Sequence, residues 1–275
     1  MNPAMAPYLQ APSSLPSAQH IVWELIRMLD APETSAHQVA ACISHDQALT
    51  ARVLGLANSS FYGLSSRIGT VQDAMLVLGM QHVRRLAISV SLSQVAAHRP
   101  ELQAFWAHSL RIAWNAEWLA GKLACHRDTC FIAGLLHDVG LLLMYDEQAE
   151  RFTQWVHSQR DGCELLQAER DELGFDHAEL GAELGRLWHF PEAIIQAIAS
   201  HHIDAAMRVG PVATIVYSAD ELVHVLQQGR ADPDAPCLPD PILRFLGLDQ
   251  ALWQAWLDQQ ADISQRVTST LGEAE

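Results

Sequence analysis

A histidine and an aspartate, His137 and Asp138, stand side by side in an otherwise almost wholly apolar run, Phe131-Ile132-Ala133-Gly134-Leu135-Leu136-His137-Asp138-Val139-Gly140-Leu141-Leu142-Leu143-Met144. A run that is apolar on nearly every side predicts a central helix over about 128–144, enclosed in a core. An ionisable pair placed there costs on the order of several kcal/mol unless partners meet it. Residues i and i+1 of a helix do not face each other, so the pair is not expected to satisfy itself. Groups from elsewhere in the fold must converge on it, either around a bound cation or as a hydrogen-bonded polar cluster.

The rest of the chain reads as all-α, because period-2 alternation is scarce. Residues 1–14 are rich in Pro, Ala and Ser and are expected to be flexible. Val22, Leu25, Ile26 and Leu29 follow helical spacing up to a stop at Pro32. A short helix over 35–44 carries Val39, Ala40 and Ile43. Asp46 is placed to cap the next helix, with Leu49, Val53 and Leu56 or Ala57 inward. Asn58-Ser59-Ser60 ends that helix, and Phe61-Tyr62-Gly63 leads into a loop. Thr70 and Asp73 form a capping-box start for a helix with Ala74, Val77, Leu78 and Met80 inward, which turns at Gly79 into another over 81–96.

Pro100 marks a boundary between a lobe at about 15–99 and a second at about 100–228. Helices are predicted there over 101–124, 147–159 and 162–172, from Asp176 to Trp188, and over 191–200 and 211–228, the last opened by Pro211. Residues 229–241 are a Pro/Asp-rich linker. Residues 242–275 form a C-terminal segment of two short amphipathic helices with Leu243, Leu246, Leu252, Trp256, Ile263 and Val267 buried.

The net charge of −15 opposes a nucleic-acid partner and an anionic membrane surface alike. No uninterrupted apolar stretch reaches about 18 residues, so no membrane span is expected. No basic segment followed by an apolar one opens the chain, so no signal peptide is expected. Five cysteines without Cys-x-x-Cys spacing oppose a disulfide framework or a zinc ribbon and fit the cytoplasm.

Candidate partners for the His137-Asp138 pair are His108, His177, His201, His202 and Asp220. Each has an ordinary reading. His108 shares an apolar face with Phe105 and Ile112, where a histidine is usually a hydrogen-bonded core residue. His177 follows the cap Asp176, a position often exposed. His201 and His202 end a helix, where the dipole favours them without any metal. Asp220 lies at the edge of an apolar stripe, where a carboxylate is commonly solvated. Taken in order, however, the set reads His, His-Asp, His, His-His, Asp on separate helices. Imidazole and carboxylate together suit iron, manganese, zinc or nickel, as one ion or as two sharing Asp138. Two adjacent ions can activate a bridging water for phosphoester hydrolysis. Nothing in the sequence calls for an organic cofactor.

Leu-Leu-His-Asp-Val-Gly, with His108 before it and His177, His201-His202 and Asp220 after it, resembles the HD superfamily of metal-dependent phosphohydrolases. Further stretches narrow the resemblance to the HDOD (HD-related output domain) family over about 15–228: Leu15-Pro16-Ser17, Ile43 to Arg52, Ala57 to Gly63, Ile68 to Ala74, Phe131 to Gly140 and Leu173 to Gly181. The resemblance implies an N-terminal helical bundle lobe packed on an HD-like lobe, in a bacterial signal-transduction output module that acts through protein contacts. A signalling protein is then the expected partner, at the surface around Asn58 to Gly63 or in the interlobe cleft, with a nucleotide or cyclic dinucleotide as the alternative ligand. It also implies His108, His137, Asp138, His177, His201, His202 and Asp220 as metal ligands.

Catalysis, if present, would be metal-dependent phosphohydrolysis (phosphodiesterase or nucleotidase) relying on His137 and Asp138. Relatives that cleave cyclic di-GMP differ at three places. They carry a Lys where Leu141 stands, a Gly-Tyr-Pro where Ile203-Asp204-Ala205-Ala206 follows the paired histidines, and a carboxylate where Ala104 stands. Retained metal ligands without those substrate groups imply a regulatory role over an enzymatic one.

Overall fold

A computed structural model describes residues 2–10, 19–28, 34–58, 68–97, 102–147, 162–202, 206–230 and 238–271. Among these residues the regular structure is helical throughout, as the sequence pattern predicts. In chain order the helices are α1 (Ala6–Gln10), α2 (Gln19–Arg27), α3 (Ala36–Ser44), α4 (Gln47–Ala57), α5 (Val71–Leu78), α6 (Met80–Ala97), α7 (Gln103–Lys122) and α8 (Arg127–Leu136). They continue with α9 (Val139–Glu147), α10 (Gly162–Leu173), α11 (His177–Leu187), α12 (Glu192–Ser200), α13 (Ala206–Val209), α14 (Pro211–Gln227), α15 (Asp240–Leu246) and α16 (Gln250–Leu271). The chain forms two compact units.

One unit comprises Leu15–Arg111 and Ala261–Glu275. Its helices start where side chains satisfy the first free backbone N–H groups. Ser35 and Gln38 form a reciprocal capping box on α3. Asp46 accepts from Leu49 N at the start of α4, and Thr70 accepts from Asp73 N at the start of α5. Leu25, Ile26, Val39, Ile43, Leu49, Val53 and Ala57 are buried as their spacing requires. The inward stripe of α5 departs from expectation: Val71, Ala74 and Met75 are buried, whereas Val77 is 57% exposed. The inward face follows i, i+3, i+4 and i+7 from Val71, with Leu78 half-buried, so Ala74 and Leu78 lie on it and Val77 falls on the flank.

The other unit comprises Met1–Ser14 and Ile112–Gln260 and contains α8, α9, α11, α12 and α14, packed against one another. Within the segment 1–14, expected to be flexible, the described residues 2–10 carry helical structure. Residues 3–5 form a 3-10 turn and α1 follows, with Met5, Tyr8 and Leu9 buried. The Asn2 side chain donates to Gly174 O at 2.9 Å, and the Tyr8 ring meets the Phe175 ring edge-on. Those partners lie far along the chain, which is why local composition did not reveal them.

The C-terminal helices are of unequal length, 7 and 22 residues, so the second is not short. Ile242 and Trp253 are fully buried, and the neighbouring Leu243 and Leu252 only half-buried. Trp256 Nε1 donates to Asn115 Oδ1 at 2.6 Å, which sets the rotation of α16 against α7 within this unit.

The stretch 127–145 is long and apolar enough to cross a membrane by length and composition, but it is mostly buried in this core. Leu29, Pro32, Ser59 to Gly63, Pro100, most of the helix expected over 147–159, Ile203 to Ala205 and most of the 229–241 linker lie outside the described residues.

Candidate metal-binding site

The expected continuous central helix is broken at the feature that led to it. α8 ends at Leu136, His137 and Asp138 form a turn, and α9 begins at Val139. In an unbroken helix the Gly134 carbonyl would accept the Asp138 N–H. Here His137 Nδ1 takes that carbonyl at 2.7 Å. A side chain competing for a backbone acceptor is a recognised way to end a helix. The break also overturns the expectation that the pair cannot meet: His137 Nε2 lies 3.2 Å from Asp138 Oδ2.

The same device recurs at the end of α12. His201 caps that helix, and its Nδ1 donates to the Ile198 carbonyl at 2.8 Å. Its Nε2 then lies 3.0 Å from Asp138 Oδ1. His177 arrives differently, as the first residue of α11 behind the N-cap Asp176. It is fully buried, against the expectation of an often exposed position. Its Nδ1 lies 2.7 Å from Glu169 Oε2 and its backbone N–H donates to the same carboxylate at 2.8 Å. Its Nε2 lies 3.4 Å from both Asp138 Oδ1 and His201 Nε2. His202 approaches Asp138 Oδ1 at 4.0 Å through Nε2 and Asp220 Oδ2 at 3.6 Å through Nδ1.

Asp138, His177, His201 and His202 thus each offer one ligand atom, all within 4.8 Å of one another. His137 joins through the other oxygen of Asp138, and Asp220 through His202. His108 is half-buried on α7, in the part of that helix belonging to the other unit.

Glu169 is a residue that the sequence reading missed. It is fully buried on the inward stripe of α10, at helical spacing from Leu166 and Leu173. A carboxylate interrupting an apolar stripe eight residues before a histidine was the available signal. Asp176, also fully buried, pairs with Arg170 while capping α11.

Close backbone packing holds the cluster together. A Cβ on Gly140 would come within 1.9 Å of the His177 carbonyl oxygen, so only glycine lets α9 lie this close to the start of α11.

The electrostatics follow from this geometry. Burial opposes an ionised Asp138, but His137 and the hydrogen bonds from His177 and His201 outweigh it and hold the carboxyl well below its usual range. Burial likewise opposes a charged His177, but Glu169 on one side and Asp138 on the other push it up to about 10. Burial dominates at His201 and His202, and both are lowered.

The carbonyls of Gly134 and Ile198 can only accept, so Nδ1 of His137 and of His201 carries a hydrogen. Each neutral ring then turns an Nε2 lone pair toward an Asp138 oxygen, which is itself a lone-pair donor. Positive charge must lie between them, as protons or as a cation. Imidazole nitrogens and carboxylate oxygens are suitable donors for a divalent ion, and anchored Nδ1–H groups are how proteins aim such ligands. The residues present fit a metal.

The HDOD domain family matches residues 15–203. An uncharacterized protein of Treponema pallidum is 28% identical over 195 residues, which is 68% of this chain and 37% of that protein. Ribonuclease Y of Lactobacillus acidophilus is 24% identical over 161 residues, 58% of this chain and 24% of the relative. The chain therefore spans well under half the length of these curated relatives.

Among solved structures, an HDOD domain protein of unknown function from Geobacter sulfurreducens superposes with a TM-score of 0.71 at 25% identity, over 97% of both chains. A protein of Shewanella amazonensis that carries a provisional phosphohydrolase name gives 0.75 at 24% identity over 98% of both. One of Marinobacter aquaeolei with a provisional signal-transduction name gives 0.74 at 23%, over 94% of this chain and 59% of that one. The latter two likenesses concern the fold alone.

Proposed function

The chain belongs to the HDOD domain family, and from that premise we propose that it is a bacterial, cytoplasmic signal-transduction output module whose HD-type cluster holds a divalent cation. The observation that carries this reading is the convergence of Nε2 atoms of His137, His177 and His201 on the two oxygens of Asp138, at 3.0–3.4 Å. Asp138, His177, His201 and His202 would hold the ion. His137 and Asp220 flank it. Iron, manganese, zinc and nickel suit these donors.

A bound ion would replace the protons that the imidazoles otherwise need opposite Asp138, and so link the ends of α8 and α12 to the start of α11. Output then passes to a signalling protein by surface contact. No organic cofactor is needed for this role.

Metal-dependent phosphohydrolysis is the second reading. It is favoured by the partial exposure of the His202 and Asp220 side chains, which gives solvent access on one side of the cluster. A divalent ion there would supply Lewis-acid activation of a phosphoryl group or of water. Against it, Leu141, where cyclic di-GMP-cleaving relatives carry a cation, is buried and apolar. The name ribonuclease Y among the relatives adds RNA to the substrates worth testing, although the charge of −15 disfavours it.

One preparation tests both readings: elemental analysis, then turnover of a chromogenic phosphodiester, cyclic di-GMP and RNA. The module reading expects stoichiometric metal, lost in Asp138→Ala, and no turnover. Turnover that disappears in Asp138→Ala establishes the enzyme instead. Metal-free protein that stays empty after incubation with each of the four ions rejects both.

A further inference from the structure

The corner between α7 and α8 places two thiols side by side, away from the histidine cluster. α7 ends with Ala124 at a φ of 51° and with the Cys125 N–H donating to the Ala120 carbonyl at 2.9 Å. This six-to-one bond after a left-handed residue is a Schellman cap. It fixes Cys125 immediately before His126, the N-cap of α8. The residue preceding an N-cap and the fourth residue of the helix commonly touch as an apolar staple that sets the entry angle of the chain. Here those two positions are Cys125 and Cys130. Their Sγ atoms lie 4.0 Å apart, with Cys125 partly exposed and Cys130 buried.

We propose that Cys125 and Cys130 form a disulfide site oxidised by peroxides, which turns the staple at the α7–α8 corner into a covalent bond. The Cys125 sulfur attacks a peroxide oxygen, the O–O bond breaks, and the alcohol or water leaves with the thiol proton, giving a sulfenic acid. The Cys130 sulfur then attacks the Cys125 sulfur, the S–O bond breaks, and water leaves with the second thiol proton. Two thiols lose two electrons and one peroxide is reduced.

Access assigns the order, because Cys125 meets solvent and Cys130 does not. Burial, and then a charge on Cys125, both push the Cys130 thiol up. Sulfenic acid formation removes the second of these obstacles. Closing the sulfurs from 4.0 Å to about 2.0 Å asks for side-chain rotation, since both backbones are already held by helix-end hydrogen bonds.

The test is peroxide treatment of the reduced chain, alkylation of residual thiols, and tryptic mass spectrometry without reductant. Trypsin cuts after Arg127, between the two cysteines, so the disulfide joins two separate peptides that reductant releases. That cross-linked pair is expected in the native protein and in Cys42→Ser. It is absent in Cys125→Ser, and in Cys130→Ser it is replaced by a dimedone-trapped sulfenic acid on Cys125. Unmodified Cys125, overoxidation of Cys125 beside a still-alkylatable Cys130, or pairing with Cys42, Cys163 or Cys237 overturns the proposal. Mapping of the native chain decides the matter even if a variant fails to fold.

Discussion

His137 and His201 enter the cluster from helix C-termini, whereas His177 enters from a helix N-terminus, and the two approaches are anchored in different ways. At a C-terminus a free carbonyl lies within reach three residues back, so Gly134 and Ile198 each hold a ring by Nδ1 with no help from another element. At an N-terminus the free backbone groups are N–H donors, which cannot hold a ring N–H. His177 therefore depends on Glu169, a carboxylate from the preceding helix. The C-terminal anchors are local and cannot be mutated away. The N-terminal anchor is tertiary and rests on one side chain.

Substitutions on either side separate the two kinds of anchor. Asp138 is the shared partner of both approaches, so Asp138→Ala should have the largest effect. Complete loss of bound metal and a drop of about 3–5 kcal/mol in urea-denaturation stability are expected, the cost of removing one partner from a buried charged set. Glu169→Gln strikes the tertiary anchor alone. Its metal affinity, read by competition with a chelator dye, should weaken about 10–100-fold, with the ends of α8 and α12 unaffected; unchanged affinity would mean that His177 needs no such anchor. Gly140→Ala attacks the same side through packing, because the added methyl meets the His177 carbonyl. A loss of about 1–3 kcal/mol is expected by chemical denaturation.

The other unit supplies a contrast in sign. His82 is lowered to about 4, by burial first and then by Arg85 and Arg266, so its surroundings reject the charge that His177 accepts. Its folded-state value lies below its unfolded one, so its contribution is whole above pH about 6.5 and drains away as pH falls toward about 4. Tm against pH should show that decline, and His82→Gln should flatten it. The smallest effect concerns a helix end that holds no ring. Ala124 adopts a left-handed conformation that glycine takes more readily, so Ala124→Gly should gain up to about 1 kcal/mol in the same denaturation assay.

Legibility followed the same local-to-tertiary divide. The caps at Asp46, Thr70 and Asp176 could be read because a capping side chain and the N–H it meets are three residues apart. The histidine set was legible as an order along the chain, and the structure brings His137, Asp138, His177, His201, His202 and Asp220 into one cluster. The break between α8 and α9 was missed because apolar periodicity reports burial, and a ring nitrogen taking the carbonyl at position i−3 leaves the pattern of Leu135, Leu136, Val139 and Leu142 undisturbed. Val77 was misplaced because two neighbouring apolar residues, Leu76 and Val77, made the phase of α5 ambiguous; both are exposed.

The residue pattern fixed the helical class, the helix starts capped by Asp46, Thr70 and Asp176, and the identity of the polar groups, since each follows from contacts within one turn of chain. Tertiary structure alone decided that Glu169 would stand behind His177, that residues 2–10 would fold onto Gly174 and Phe175, and that one carboxylate would receive several imidazoles. Those outcomes depend on how closely helices approach, here through Gly140 against the start of α11. The free energy of a buried charge is set by the atoms within a few ångströms of it, whatever their distance along the chain.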